Sequence, residues 1–540
     1  MAEITRRGLV KGAALAPLAL PFRSAAQPAA DPEHFDMVVA GAGHNSLVCS
    51  AYLAKAGYKV LVLEGRPTIG GGCKTAEVCL PGFKEDLCSS VHGGLQANPL
   101  LRNNELNLRD YGLEYIDPDP VMHIPFVDGA SITVWRDLDR TCETIARFSK
   151  KDAETFRRLV PEFKANAQNG AADRGAGRRL PGVWQRLSAM SGYDAVRTLF
   201  ESGHMRAACL SCGHFGGVPG GDFGTGNQAF SLMGQVLSGR PIAKGGSGML
   251  SVALGRFIEA HNGVILTNKP VARLVIENGK CTGVDCVDGS RYRAGKAVVS
   301  TIHVKHLVNM APRELWGEEF TRNLEVFQPE HAMFSFHFAT SDPPRYPLPG
   351  GGTISTVEAS LMEHPESILL LNSFNARGEV NVEDIPLQIV SPSVGDPSRA
   401  PVGHHTVKIE GTMPYALKEG PQHWDNIKDQ VAEKIFGRLR RVSPNLTPDK
   451  ILAKFLESPL DIERMNPAMW RGSAHHGDRR LPQFVSYKMP IPGLYQTGAC
   501  TAPGGSITGM PGRNAAAALL KDLGTSIEDV VNKTVSEKGG

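Results

Sequence analysis

At 540 residues, 41% hydrophobic and 21% charged, the chain has an ordinary globular composition and is long enough for one large interrupted domain or two. Its 58 Lys and Arg against 55 Asp and Glu leave a net charge of +3, too little for a broad field that holds polyanions, so no nucleic-acid partner is expected. The 59 glycines and 37 prolines are scattered and form no low-complexity block.

The N-terminal stretch differs from the rest. Thr5-Arg6-Arg7-Gly8-Leu9-Val10-Lys11 precedes a mildly apolar run to Leu20 and the small residues Ser24-Ala25-Ala26. This pattern reads as a twin-arginine export signal over 1–30, with a mature chain starting near Gln27 or Asp31 and a periplasmic or otherwise exported destination. The apolar run is shorter than the roughly 20 residues of a membrane span, and Pro17 and Pro21 interrupt it. A disordered arm with chance arginines is the plain alternative.

Next comes a strand over 37–40, a turn Gly41-Ala42-Gly43-His44-Asn45-Ser46 and a helix over 47–56. In that order Gly41 permits a tight turn, Gly43 lets backbone approach a pyrophosphate, and the turn through His44 and Asn45 leads to a helix N-terminus with free N–H groups. A second strand over 58–63 ends at Glu64, the spacing of an acid that binds adenosine ribose hydroxyls. Ser46 replaces the third fingerprint glycine and is only slightly larger. Gly65 and Arg66 follow, and then the cluster Gly70-Gly71-Gly72-Cys73, a second stretch of backbone suited to a dinucleotide diphosphate. A dehydrogenase that binds only NAD has no need of that element; FAD, held extended, does. Export of a folded protein also suits a chain that takes up its cofactor in the cytoplasm.

Cys209-Leu-Ser-Cys212 is the one CxxC among ten cysteines. It reads as structural, or as a redox dithiol; no second pair stands at ligand spacing, so no metal is expected.

The segments AGAGHNSL (40–47), LEGRPTIGGGCKTAEVCLPGFKEDLCSSVHGG (63–94), KGGSGML (244–250) and YQTGACTAPGGSITGMPGRNAA (495–516) frame nearly the whole chain. On them the chain resembles the phytoene-desaturase-like branch of the FAD-dependent amine-oxidase superfamily, above all the group of pyridine nucleotide-disulfide oxidoreductase domain-containing proteins. The resemblance implies an α/β protein with a discontinuous, doubly wound Rossmann-type FAD domain at 34–110, 240–305 and 485–525. An α+β substrate or cap domain at 111–239 and 306–484 would be inserted in it, with a polar tail over 526–540. It implies that Val271 passes its backbone against the adenine. It also implies that Gly498, Gly505, Ile507 and Thr508 lie at the flavin end, where a helix over 511–520 points its N-terminus at the flavin pyrimidine. Two departures stand out: no acid at 498–499, and Cys73-Lys74 where many relatives carry Arg, which leaves the diphosphate charge to Arg66 or the helix dipole.

Flavin dehydrogenation often needs a base for the second hydrogen. His92, His475 and His476 are the candidates, a satisfied structural role being the alternative for each. His331 and His337 fall in an alternating stretch whose one face lines either a cavity or the core. The insert over 138–238, with charged helices predicted over 152–166 and 192–200, is expected to cap the active site. The expected reaction is dehydrogenation, desaturation or isomerisation of a small, largely apolar substrate, with oxygen or a quinone as acceptor. Peripheral membrane contact is compatible with it, and oligomeric state is open. The rivals are amine (C–N) oxidation, a non-catalytic flavin-stabilised binding protein, and a nicotinamide-dependent reductase, for which a second fingerprint is missing.

Overall fold

The computed structural model describes residues 34–172, 182–213, 220–475, 477 and 481–532; the export-signal reading over 1–30 lies outside them. The chain opens with β1 (Phe35–Ala40), α1 (His44–Lys55) and β2 (Val60–Leu63). A hairpin follows, β3 (Met122–Pro125) and β4 (Ser131–Val134), then a helical insert containing α2 (Lys150–Ala172) and α3 (Gly203–Gly213). Next come α4 (Met249–Ala260), β5 (Val264–Leu266), β6 (Val271–Glu277), β7 (Lys280–Cys286) and β8 (Arg291–Ser300). The chain continues through β9 (Ala332–Thr340), β10 (Glu358–Leu361), α5 (Ser367–Arg377), β11 (Leu387–Val390) and β12 (His405–Met413). It closes with α6 (Trp424–Val442), β13 (Ile451–Glu457), β14 (Leu494–Gln496), α7 (Met510–Asp522) and α8 (Ile527–Asn532).

Two seven-stranded sheets carry these elements. In the first, β5, β2, β1, β8 and β14 run parallel, and β8 continues into an antiparallel ribbon with β7 and β6. Every residue of β2, and all of β1 but Asp36, is buried, as the apolar runs MVVA and VLVL require of strands covered on both faces. Helices α1, α4 and α7 pack together on one face. This is the doubly wound Rossmann-type arrangement. The helix after the glycine turn begins at His44, three residues earlier than periodicity suggested, because Ser46 hydrogen-bonds back into the turn.

The second sheet has the order β13-β9-β12-β11-β10-β3-β4. Its two faces differ sharply. Phe334, Phe336, Phe338, Val407, Ile409, Leu387 and Ile389 point one way, into a core shared with α6 and the helical insert. Ser335, His337, Lys408, Glu410, Thr412 and Gln388 alternate with them and are also buried. The insert over 138–238 therefore covers the apolar face. Among the described residues none of it lines the cavity described below, so the expectation that it caps the active site is corrected. The tail expected as a short polar helix does begin with one, α8, whose Ile527 and Val530 are buried against the first lobe's core. No helix among the described residues is long and apolar enough to cross a membrane.

Candidate active site

A cavity of about 770 Å³ runs from the carboxyl ends of β1 and β2 to the polar face of the second sheet. At its first end Gly41, Ala42 and Gly43 leave β1, with Gly41 N–H donating to Leu63 O at 2.7 Å. Glu64, at the tip of β2, accepts Ala42 N–H on Oε2 and Arg66 N–H on Oε1, each at 2.9 Å. Its carboxylate is thus pinned by backbone while its remaining lone pairs serve the cavity it lines. Gly43 caps α1 in an extended conformation with no side-chain bond to the helix, which leaves the first-turn N–H groups and the positive dipole end available to an anion. The Ser46 hydroxyl lies 2.7 Å from Gly41 O and 2.8 Å from Gly43 O, stitching the turn in place of the third glycine.

The second glycine cluster lies against the first turn: Gly70 N–H donates to Ala42 O at 2.7 Å, and Gly71 and Gly72 line the cavity beside Gly65 and Arg66. Arg66 also donates to Arg464 O at 2.9 Å. Lys74 lines the cavity too, a cation that sequence reasoning had marked only as a departure. Burial holds its ammonium below the ordinary lysine range, opposed by Glu64. Lys269, Pro270 and Val271 line the cavity beside Glu64, whose carbonyl accepts Lys269 N–H at 2.8 Å, and Gly498, Ala499, Gly505, Ser506 and Ile507 form the C-terminal wall. Gly505 is required by close approach, since a Cβ there would stand 2.1 Å from Ala474 O. Thr508 does not line the cavity: its hydroxyl accepts Met510 N–H at 3.3 Å, and its carbonyl accepts from Asn98 Nδ2 at 2.7 Å.

These groups fit FAD. Four cavity-lining residues keep a buried polar atom with neither a hydrogen bond nor an ion pair among the described residues: His44 Nε2, Asn45 Oδ1, Ser90 Oγ and His306 Nε2. Buried polar groups are seldom left so. Burial, against a bond to Ser506 backbone, lowers the His44 pKa to about 4, so its ring is neutral near pH 7.

Beyond the glycine turns the cavity is walled by a small apolar cluster in which Met333, Met465 and Ala474 pack on Cys88, Ile462 and Met469. Beside it, with Thr412 in register with Met333, the second sheet contributes Gln388, Glu410 and Thr412, joined by Arg240. Glu410 stands 2.7 Å from Lys408 Nζ, and that ammonium donates to Cys88 O at 2.6 Å. Glu358 receives both Arg240 Nε and Gln388 Nε2.

The histidines separate clearly. His92 is corrected as a catalytic candidate. It is fully buried, outside the cavity, with Nδ1 2.7 Å from Tyr115 Oη and Nε2 2.7 Å from Ser247 Oγ. Burial drives its pKa down to about 3, so it ties segments together as a neutral ring. His475 lines the cavity, whereas His476 lies outside the described residues. His331 lines it as well, its Nδ1 3.1 Å from Asn375 Nδ2, and burial lowers its pKa to about 4. His337 is held among carboxylates away from the cavity lining. Cys209 and Cys212 are free thiols whose pKa values burial pushes up, to about 12 for Cys212, which disfavours thiolate chemistry.

A Rossmann-type lobe whose dinucleotide track opens into a second-sheet chamber defines an FAD-dependent oxidoreductase. The chain belongs to the flavin-containing amine oxidoreductase family, which matches residues 47–520. It is 28% identical to a limonene dehydrogenase component of Castellaniella defragrans, over 91% of this chain and 95% of that one. Pyridine nucleotide-disulfide oxidoreductase domain-containing protein 2 of Rattus norvegicus is 26% identical, over 93% of this chain and 96% of its own. Phytoene desaturase (neurosporene-forming) of Cereibacter sphaeroides is 22% identical, over 90% and 94%.

Proposed function

We propose that this protein removes a hydride and a proton from a largely apolar organic molecule, giving a dehydrogenated or desaturated product, or an isomer where both hydrogens are returned to the molecule. The observation that carries this reading is the single cavity shared by the dinucleotide-binding residues and the methionine-rich wall of Met333, Met465 and Met469. Two relatives are named for dehydrogenating limonene and desaturating phytoene. FAD, when bound, supplies the two-electron acceptor, with hydride received at N5. Glu64 would hold the ribose hydroxyls. The α1 N-terminus, Arg66 and Lys74 would neutralise the diphosphate. The apolar wall excludes water from the reacting carbon, and among the cavity-lining rings His475 and His331 are the two proposed to move a proton.

The test begins with purified full-length protein, its released cofactor identified by mass. Anaerobic titration with limonene and with carotenoid precursors should bleach the flavin bands, and admission of oxygen or a soluble quinone then identifies the acceptor by recolouring. Bleaching by amines alone, with ammonia released, would replace this reading with C–N oxidation. We also propose export by the twin-arginine route, on the strength of Thr5 to Lys11. Periplasmic fractions should contain the flavoprotein, and replacing Arg6 and Arg7 together by Lys should retain it in the cytoplasm; unchanged fractionation would overturn the export reading.

A further inference from the structure

The chamber floor is an unusual surface for a hydrocarbon to meet. Strand β12 alternates Val407, Lys408, Ile409, Glu410, Gly411 and Thr412; the apolar members enter the core, and Glu410 and Thr412 reach the cavity. Gln388 is the register partner of Glu410 on β11, and Arg240 completes the patch. Behind these residues Lys408 and Glu358 supply opposite charges, so two cations (Arg240 and Lys408) face two anions (Glu358 and Glu410) and the patch is balanced.

Within it Glu410 is the member with bonding capacity to spare. Its residue is only 8% exposed: Oε2 is closed off from the cavity 2.7 Å from Lys408 Nζ in an ion pair, and Oε1, which accepts no hydrogen bond among the described residues, is the oxygen left to the cavity. A wholly apolar molecule filling the chamber would strip water from this carboxylate and return nothing, which is costly for a buried ionised group. A hydroxyl would donate to it. An ammonium would have to share the carboxylate with the Lys408 ammonium, and a carboxylate would face Glu410 directly.

We infer that the chamber takes an amphipathic substrate, a hydrocarbon body bearing a hydroxyl group that donates to Glu410, with Arg240, Gln388 and Thr412 framing that polar end. This rests on the proposed function in placing the substrate in this chamber, and it narrows the substrate class from hydrocarbons to alcohols of hydrocarbon skeleton.

The test uses FAD-loaded full-length protein and two matched pairs of probes, 1-octanol with heptyl methyl ether and perillyl alcohol with its methyl ether, titrated by calorimetry. The ethers retain the oxygen but cannot donate. For at least one pair the alcohol should bind about tenfold or more tightly, the scale of one hydrogen bond to a charged acceptor. Glu410→Gln, which exchanges an acceptor for a group that also donates, should erase that preference. If Glu410→Gln loses its flavin, the double variant Glu410→Gln with Lys408→Met removes both charges together and gives the same reading. Equal binding within each pair, a preference that survives both variants, tightest binding by octylamine or octanoate, or no binding by either pair would each overturn the inference. Anaerobic bleaching is read in the same samples. Alcohol preference without bleaching by any probe would leave this inference standing and remove the turnover reading, while bleaching by limonene with no alcohol preference would do the reverse.

Discussion

Glu64 does two jobs with one carboxylate. Its two oxygens accept Ala42 and Arg66 N–H groups at 2.9 Å, which fixes the glycine turn relative to the tip of β2, and the same group lines the cavity. Glutamine at 64 keeps one acceptor and turns an NH₂ group toward the other N–H. A buried donor left without an acceptor costs about 1–3 kcal/mol. Glu64→Gln should therefore weaken FAD binding by about tenfold or more, measured by titrating FAD into the apoprotein and following flavin fluorescence. An unchanged dissociation constant would show that backbone alone sets the turn. The position of this acid was legible from its distance past the glycines. Its grip on Ala42 and Arg66 was not, because hydrogen bonds between a side chain and a distant backbone leave no periodic trace in a sequence.

At the scale of elements, the close crossing of α1 and α7 governs where the helix N-terminus points. Gly512 makes it possible, since a Cβ there would stand 2.2 Å from Asn45 O and 2.7 Å from Val48 Cβ. Gly512→Ala must push the two helices apart, at a cost of roughly 1–3 kcal/mol typical of overpacking, and Asn45 moves with α1. The expected result is a melting temperature lowered by several degrees together with weaker retention of FAD. Gly234, inside the helix Ser231–Ser238, has no atom within 4 Å of a Cβ position, so Gly234→Ala should be neutral or stabilising by up to about 1 kcal/mol. Equal effects from the two substitutions would contradict the packing argument. Such contrasts explain what could be read in advance. Unbroken apolar runs and glycine spacing announced β1, α1 and β2. The chamber floor was missed because alternation such as Lys408-Ile409-Glu410 ordinarily marks a strand with one face in water, whereas here that face is buried against a cavity. His92 misled for a related reason: a histidine among glycines near a cofactor motif has the same sequence appearance whether it faces the ligand or, as here, ties Tyr115 to Ser247.

Across the whole molecule, the segment that leaves the glycine cluster is clamped to the second sheet by buried charges. His337 on β9 lies 3.7 Å from Glu85 and 3.4 Å from Glu457 of β13, with Ser335 Oγ at 3.0 Å from its ring. Arg399 and Asp86 form a second buried pair at 2.9 Å, and Lys408 with Glu410 a third. Burial works against a charged His337, but the bonds and charges of Glu457 and Glu85 outweigh it and lift its pKa from 6.5 to about 9. Burial also raises Glu85 and Glu457 above the ordinary carboxylate range. All three shifts mean that the folded protein binds protons more tightly than the unfolded chain, so stability must fall as pH rises. For His337 the contribution is complete below about 6.5 and is lost as pH passes through about 9. The loss across that window should be on the order of 3 kcal/mol, seen as a falling urea midpoint. His337→Gln should be less stable at pH 6.5 and show a flatter profile up to pH 9, because the group that titrates there is gone. A wild-type midpoint that stays level across the window would mean that His337 is neutral in the fold, and that the Arg399–Asp86 pair and the Lys408 bond to Cys88 O clamp the segment without it.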